Sequence, residues 1–204
     1  MGKSRYVITV TRQFGSMGRP IAQKLAENLG IEYYDRDLID MAARKLGLEA
    51  EEIGAAEESA SQIYTNPFER MAHPLGTKAT AVQDRIFETQ KNIIRFLAEK
   101  DTCVIVGRCA DFVLYDMENT MNVYIYAQYE ARLKHAVEDL GLDEEEARRT
   151  ITRVDKAREN YHLNYAGFKP DDKKFKDILI DSSFLGIEQT AAYLTLAVEY
   201  KFGK

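Results

Sequence analysis

Short apolar runs alternate with stretches of helical periodicity along most of this chain. Five runs have the length and composition of buried strands: Tyr6–Val10, Ile31–Tyr34, Thr102–Val106, Asn122–Ala127 and Asp177–Ile180. Between them, apolar residues recur every three or four positions, as they do in a helix with one buried face. The clearest examples are Val82, Ile86, Thr89, Ile93 and Leu97, then Leu133, Val137 and Leu140, then Ile187, Ala191, Leu194 and Val198. Strands that alternate with helices predict an α/β fold with a five-stranded parallel sheet covered on both faces.

A loop with two glycines follows the first predicted strand. It leads into a helix whose apolar positions begin at Ile21 and which we expect to end at Gly30. A loop that turns from a strand directly into a helix aims backbone N–H groups and the positive helix end at one point. The pattern therefore predicts a phosphate-binding loop. Its residues are Gln13, Phe14, Gly15, Ser16, Met17, Gly18 and Arg19.

Two segments interrupt the alternation within what we interpret as a single domain, 1–204. Residues 49–79 are first acidic and then irregular, which indicates an insertion between the second strand and the next helix. Residues 143–176 contain a long charged helix, Asp143–Tyr165, and then a polar segment, Gly167–Lys176. We expect that polar segment to be mobile.

Composition narrows the class of protein. The formal net charge of −5 argues against nucleic acid as the main partner. No apolar run approaches the length of a membrane span, and the N-terminus lacks the apolar core of a signal peptide. Two cysteines, Cys103 and Cys109, are too few for a disulfide framework, so we interpret both as reduced thiols in a cytoplasmic protein. The three histidines show no metal-ligand spacing.

Polar residues follow four of the five predicted strands. Besides the glycine loop, Asp35 follows the second strand, Arg108 and Asp111 follow the third, and Asp181 follows the fifth. Ligands bind at the carboxyl ends of the strands in open parallel sheets, so these residues are expected to converge on one crevice. The alternative is that loops after strands are polar in any α/β protein. Four such loops together, one of them rich in glycine, favour a binding site.

Arg158 has an unusual place on the long charged helix. At about 100° per residue it falls on the apolar stripe that includes Ile151, Val154 and Tyr161. A guanidinium on a packed face needs an anionic partner, since burying an unpaired charge is costly. A bound phosphate is one such partner, and Asp155 on the neighbouring face is the structural competitor.

Several motifs, in this order and at these intervals, resemble the cytidylate kinase-like family of P-loop proteins over nearly the whole chain. They are Thr11–Arg19, Tyr33–Ile39, Val106–Asp111, Asp155–Tyr161 and Asp181–Glu188. The resemblance implies a three-layer P-loop fold in which 49–79 is an acceptor-side insertion and 143–176 a lid. It also implies transfer of a phosphate from ATP, with Mg²⁺, to CMP or dCMP.

The resemblance also implies roles for single residues. Arg19, Arg108, Arg153 and Arg158 would stabilise charge on the transferring phosphate, the last two from the lid. The substrate-binding set would be Asp35, Arg108, Asp111, Asp155 and Arg158, with Asp35 and Arg108 on the monophosphate side and Asp155 on the cytidine side.

The phosphate loop departs from the G-x-x-x-x-G-K-[ST] pattern. Gln13 stands at the first glycine, Arg19 at the lysine and Pro20 at the Mg²⁺-binding hydroxyl. Val106 stands where cytidylate kinases have an acidic residue. If the protein uses Mg²⁺, then Ser16, Thr11 or Asp35 must replace the missing ligands. Three functions remain open. The first is a nucleoside monophosphate kinase, with a kinase of another small acceptor as a variant of it. The second is a non-catalytic nucleotide- or phosphate-binding module that has lost its metal ligands, and the third is a purely structural interaction protein.

Overall fold

A computed structural model describes residues 5–35, 37 and 81–203 of the 204-residue chain. The expected insertion at 49–79 lies outside the described residues. Five strands are present: β1 (Val7–Arg12), β2 (Glu32–Tyr34), β3 (Cys103–Val106), β4 (Thr120–Tyr126) and β5 (Ile178–Asp181). They form one sheet in the order β2-β3-β1-β4-β5, and every neighbouring pair is parallel. The predicted five-stranded parallel sheet is confirmed.

The described helices follow the strands in alternation. They are α1 (Gly18–Leu29), α2 (Ala81–Lys100), α3 (Ala110–Val113), α4 (Tyr129–Glu138), α5 (Glu144–Ala166) and α6 (Ser182–Phe202). A 3₁₀ turn spans Lys173–Phe175. The α1 helix ends at Gly30, which adopts a left-handed conformation as expected. Neither α3 nor the 3₁₀ turn was predicted, because neither is long enough to show a helical repeat in the sequence.

Two apolar layers cover the sheet, and the alternation of side chains along the strands sorts residues between them. Ile8 and Val10 of β1 pack with α1 and α6 on one face. Val7, with Cys103 and Ile105 of β3, packs with α2 and α3 on the other. Both faces of β1 are therefore buried, which explains its nearly continuous apolar sequence.

The α5 helix connects two parts of the core. Near its start, Ile151 and Val154 pack with α4 and with Phe14 of the glycine loop. One turn from its end, Tyr161 packs with α2 and α3. Arg158 lies between these contacts, on the packed side of the helix as predicted.

The structure differs from the prediction at two places that matter for the site. The β1 strand continues beyond Val10 to Arg12, whose register partner is Ile125 of β4. The segment 167–176, expected to be mobile, is instead tied down: the rings of Phe168 and Phe175 stack at 3.7 Å and the Lys176 side chain is fully buried. The polar composition of this segment predicted mobility. The prediction was wrong because Lys176 pairs with the buried carboxylate of Asp111, a tertiary contact that the sequence alone does not show.

Candidate functional site

The loop between β1 and α1 is held from both sides by hydrogen bonds. The Ser16 hydroxyl contacts the carbonyl oxygens of Gln13, at 3.0 Å, and Ile125, at 3.1 Å. The Ser182 hydroxyl donates to the carbonyl of Ser16 at 2.7 Å, and the Gln13 side chain accepts from the Ala127 N–H at 3.2 Å. These bonds connect the loop to the ends of β4 and β5. The result is a fixed loop whose last residue, Met17, precedes α1 without a side-chain cap.

Both loop glycines lie where a side chain would collide with neighbouring residues. Gly15 has a φ of +74°, and a Cβ there would be 2.9 Å from the carbonyl oxygen of Arg132. A Cβ at Gly18 would be 2.7 Å from the Cβ of Arg12. The first glycine lets the loop approach α4, and the second lets α1 begin directly over the end of β1.

Asp155 of α5 contacts the loop. Its carboxylate accepts a hydrogen bond from the Phe14 N–H at 2.7 Å and forms an ion pair with Arg132, which also donates to the Phe14 carbonyl at 3.2 Å. The carboxylate therefore occupies an N–H group of the loop predicted to bind phosphate. Asp155 was expected to compete for Arg158 or to bind substrate, whereas the structure pairs it with Arg132. The sequence contains no signal for Arg132, because it lies on a different helix whose packing against the loop is purely tertiary.

Arg19, at the position of the phosphate-loop lysine, pairs with two carboxylates. Its guanidinium forms ion pairs with Asp35 and, at 3.2 Å, with Asp37. Burial alone would lower the pKa of Arg19, but the charge of Asp35 and the hydrogen bond with Tyr33 raise it. The structure thus joins two predicted site residues, Arg19 and Asp35, directly to each other.

Two of the three residues proposed as Mg²⁺ ligands, Ser16 and Asp35, have their side-chain oxygens engaged within the protein. Ser16 is completely buried, and its hydroxyl faces two carbonyl groups. Asp35 is 5% exposed, pairs with Arg19 and accepts a hydrogen bond from the Asp37 N–H at 3.1 Å. Among the described residues no group of three acidic, histidine or cysteine side chains is arranged to bind a metal. In this conformation the described residues do not fit Mg²⁺.

Two predicted site residues, Arg108 and Arg158, both lie close to a third arginine, Arg12. Arg158 donates to the backbone carbonyl of Arg12 at 3.1 Å, and Arg108 is hydrogen-bonded to Tyr161, three residues further along α5. The Arg12 guanidinium lies against Gly107, where any side chain would collide with it. Burial, together with the positive charges of Arg158 and Arg108, lowers the pKa of Arg12. Arg12 was absent from the predicted site because the predicted first strand ended two residues too early.

The backbone that carries Arg108 is unusual. Gly107, Arg108 and Cys109 all have positive φ, at 80°, 57° and 52°. Positive φ is uncommon for residues with a Cβ, so two in succession indicate a turn that the surrounding structure must hold in place. This turn aims the Arg108 side chain from the end of β3 towards α5.

Asp111 was expected to bind substrate, but its carboxylate is engaged inside the protein. It pairs with the buried Lys176 and lies 3.1 Å from His162 Nε2 of α5. Burial alone would raise the pKa of Asp111, but the hydrogen bonds and charges of His162 and Lys176 lower it. The three residues instead connect α3, α5 and the segment before β5.

Arg153, expected beside Arg158 in the lid, lies on the exposed side of α5. Arg153 and Arg158 are five positions apart, which places their side chains about 140° from each other around the helix axis. The two side chains therefore point in different directions. A role for Arg153 stays a prediction. None of the described helices has the length and apolar character needed to span a membrane.

Comparisons with known proteins bear on the family of the chain and on its fold. The sequence profile of the Cytidylate kinase-like family matches residues 7–184. A relative named cytidylate kinase, from Thermoplasma acidophilum, is 23% identical over 194 residues, covering 94% of this chain and 92% of that protein.

Two solved structures are similar over nearly their full lengths. An uncharacterized protein from Eubacterium ventriosum is 26% identical, with a TM-score of 0.72, covering 96% of this chain and 99% of that one. The shikimate kinase from Acinetobacter baumannii, solved in complex with shikimate, has a TM-score of 0.56 at 14% identity, covering 99% and 97%. At that identity the likeness shows only the shared α/β fold of P-loop kinases.

Proposed function

This chain belongs to the cytidylate kinase-like family, and we propose that it transfers the γ-phosphate of ATP to a nucleoside monophosphate, with CMP or dCMP as the acceptor. The observation that carries the proposal is the convergence of Arg108 and Arg158 beside the glycine loop. The names of the relatives support the choice of acceptor.

In this proposal the donor phosphates bind at the glycine loop and the start of α1. Backbone N–H groups there offer hydrogen bonds, and the helix end offers a positive potential. Phosphate binding would require Asp155 to leave the Phe14 N–H and Arg19 to exchange Asp35 for a phosphate oxygen. Both exchanges replace one anion with another at the same cation or donor. The released carboxylates keep other partners, since Asp155 pairs with Arg132 and the buried Asp35 accepts from the Asp37 N–H.

The acceptor phosphate would bind on the side of Arg108 and Arg158. Phosphoryl transfer requires little covalent chemistry from the protein, so its task is to align donor and acceptor and to stabilise the transferring charge. Guanidinium groups suit this task because their planar fork matches two phosphate oxygens. The Arg12 side chain is partly buried beside these two arginines, and charges removed from bulk water act more strongly on one another.

The second candidate function is a non-catalytic nucleotide- or phosphate-binding module. Two observations favour it: Asp155 already occupies the loop N–H of Phe14, and the described oxygen ligands do not fit Mg²⁺. The two functions differ in metal dependence. A kinase should bind ATP more tightly when Mg²⁺ is present, whereas the binding module should bind ADP with the same affinity at all Mg²⁺ concentrations.

The proposal is tested by measuring ADP formation from Mg-ATP with CMP, dCMP, UMP, AMP and GMP as acceptors. We expect turnover with CMP or dCMP that falls on the order of 100-fold in Arg108→Ala, the loss typical of removing one charge stabiliser. The matched control is Arg149→Ala, on the same helix as Arg158, since Arg149 is 70% exposed and pairs only at the surface with Glu145. Its turnover should equal that of the wild type, which would show that the loss in Arg108→Ala is specific to that residue. The loss itself excludes a contaminating kinase, whose activity no variant of this chain would change. No turnover with any of these acceptors would reject the nucleoside monophosphate kinase and favour either another acceptor or the binding module.

A further inference from the structure

We propose that Arg12 is a third phosphate-binding residue, which acts with Arg108 and Arg158 to hold the phosphate of the acceptor. That this phosphate belongs to an acceptor rests on the proposed function. That the three arginines form a phosphate site rests on their geometry alone.

The Arg12 side chain links the two parts of the site. Its Cβ and Cγ pass beneath Gly18 at the start of α1, and its guanidinium ends against Gly107 at the end of β3. Its own carbonyl oxygen accepts the hydrogen bond from Arg158. The side chain therefore extends from β1 towards β3. It points to the side of the sheet where Asp35 follows β2 and Arg108 follows β3. This direction assigns it to the acceptor side rather than to the donor loop.

Two other cations lie close to Arg12. Burial is the main cause that lowers the pKa of Arg12, the positive charges of Arg158 and Arg108 lower it further, and Tyr33 and Asp35 act in the opposite direction. Within the part of the chain that the structure describes, no carboxylate forms an ion pair with the Arg12 guanidinium. Asp35 acts on it only from a distance and is itself paired with Arg19. The Arg12 guanidinium is therefore held beside two other arginines and has no ion-paired carboxylate of its own among the described residues. An anion bound there would stabilise it.

A purely structural role for Arg12 is the alternative. Its aliphatic part packs under Gly18, and loss of that packing would destabilise the protein whether or not it binds phosphate. Arg12→Met separates the two explanations, because methionine keeps much of the aliphatic length and removes the charge. If Arg12 is a phosphate ligand under repulsion, Arg12→Met should melt at the same temperature as the wild type or higher when no ligand is present. If the guanidinium instead stabilises the fold through contacts within the protein, the variant should melt at a lower temperature.

Ligand binding is then measured by calorimetry with CMP, cytidine, ADP and inorganic phosphate. We expect Arg12→Met to bind CMP about 10- to 100-fold more weakly, the loss of a charged hydrogen bond, with unchanged affinity for cytidine and ADP. Arg12→Lys keeps the charge without the fork and should bind CMP about tenfold more weakly. It replaces Arg12→Met should the latter not fold. Arg149→Met, at the exposed position on α5, is the control for removing an arginine charge.

The pattern of affinities across these ligands separates the possible roles of Arg12. Unchanged CMP affinity in the Arg12 variants overturns the inference while leaving the proposed function intact. An equal loss for ADP and CMP overturns the assignment to the acceptor side. If the wild type binds no nucleoside monophosphate but binds inorganic phosphate through Arg12, the proposed function fails and the three-arginine phosphate site stands. If neither ligand depends on Arg12, the site is rejected as well.

Discussion

The carboxylate of Asp155 accepts a hydrogen bond from the backbone N–H of Phe14, although 141 residues separate them along the chain. The contact joins the long helix α5 to the loop between β1 and α1. Arg132 completes the connection, since it pairs with the same carboxylate and donates to the Phe14 carbonyl. Any movement of α5 away from the sheet must break this group of contacts, so the loop and the helix are mechanically coupled.

The first prediction concerns the stability that this contact provides. In Asp155→Ala, the largely buried Arg132 loses its carboxylate and Phe14 loses its acceptor, so we expect a loss of about 2 to 4 kcal/mol in the free energy of unfolding. Urea denaturation measures it. The control is Asp139→Ala at the C-terminal end of α4, where an exposed carboxylate contacts His135 one turn away. That change should cost less than about 0.5 kcal/mol. Equal effects at the two positions would contradict the coupling.

A second prediction isolates the close approach of the loop to α4. Gly15 and Gly30 both have positive φ, at +74° and +62°, but only at Gly15 would a Cβ meet another residue. Gly30→Ala should therefore cost only the strain of the left-handed conformation, about 1 kcal/mol. Gly15→Ala should cost at least about 1 kcal/mol more, because the added carbon collides with the Arg132 backbone. Thermal unfolding of the two variants in parallel gives the difference, and a Gly15→Ala variant as stable as Gly30→Ala would rule out the close contact.

The third prediction concerns the buried group of Asp111, His162 and Lys176. Asp111→Asn leaves the fully buried Lys176 ammonium without its carboxylate, which should cost about 3 to 5 kcal/mol. Urea denaturation at neutral pH gives this loss directly. Lys174→Ala, an exposed lysine in the adjoining 3₁₀ turn, is the control and should leave stability nearly unchanged.

The pH dependence gives a second measurement on the same group. Because the pKa of Asp111 is lowered in the folded state, the unfolded chain binds the proton more tightly. The stabilisation is therefore complete above the unfolded pKa of about 4 and is lost as the pH falls below it. The wild type should lose stability more steeply than Asp111→Asn below about pH 4. If the stabilities of the wild type and of Asp111→Asn fell equally with pH, the ionised Asp111 carboxylate would not stabilise the fold.

A fourth prediction concerns the two thiols. Burial raises the pKa of Cys103 to about 12, with the charge of Asp101 adding to the effect, and burial raises that of Cys109 as well. Since only the thiolate reacts readily, neither should react with a thiol reagent at pH 8 in the native protein, and both should react after denaturation. Rapid reaction of either thiol before unfolding would contradict this inert role, which is also the one expected from the sequence.

Local pattern was sufficient for most of the fold. The alternation of apolar runs and helical repeats identified all five strands, and the glycines of the first loop located the turn into α1. The position of Arg158 on the packed face of α5 also followed from helical spacing alone. These features depend on neighbours within one or two turns, so the sequence displays them directly.

Partners across the fold could not be derived in that way. Asp155 with Phe14 and Arg132, Asp111 with Lys176, and Arg12 with Gly107 are each brought together by packing between distant segments. By itself the sequence determined the α/β architecture, the phosphate-type loop and the likeness to a kinase family, because backbone periodicity and short motifs encode them. Only the tertiary structure decided which charges pair and which repel, because an ion pair is set by the distance between side chains in space.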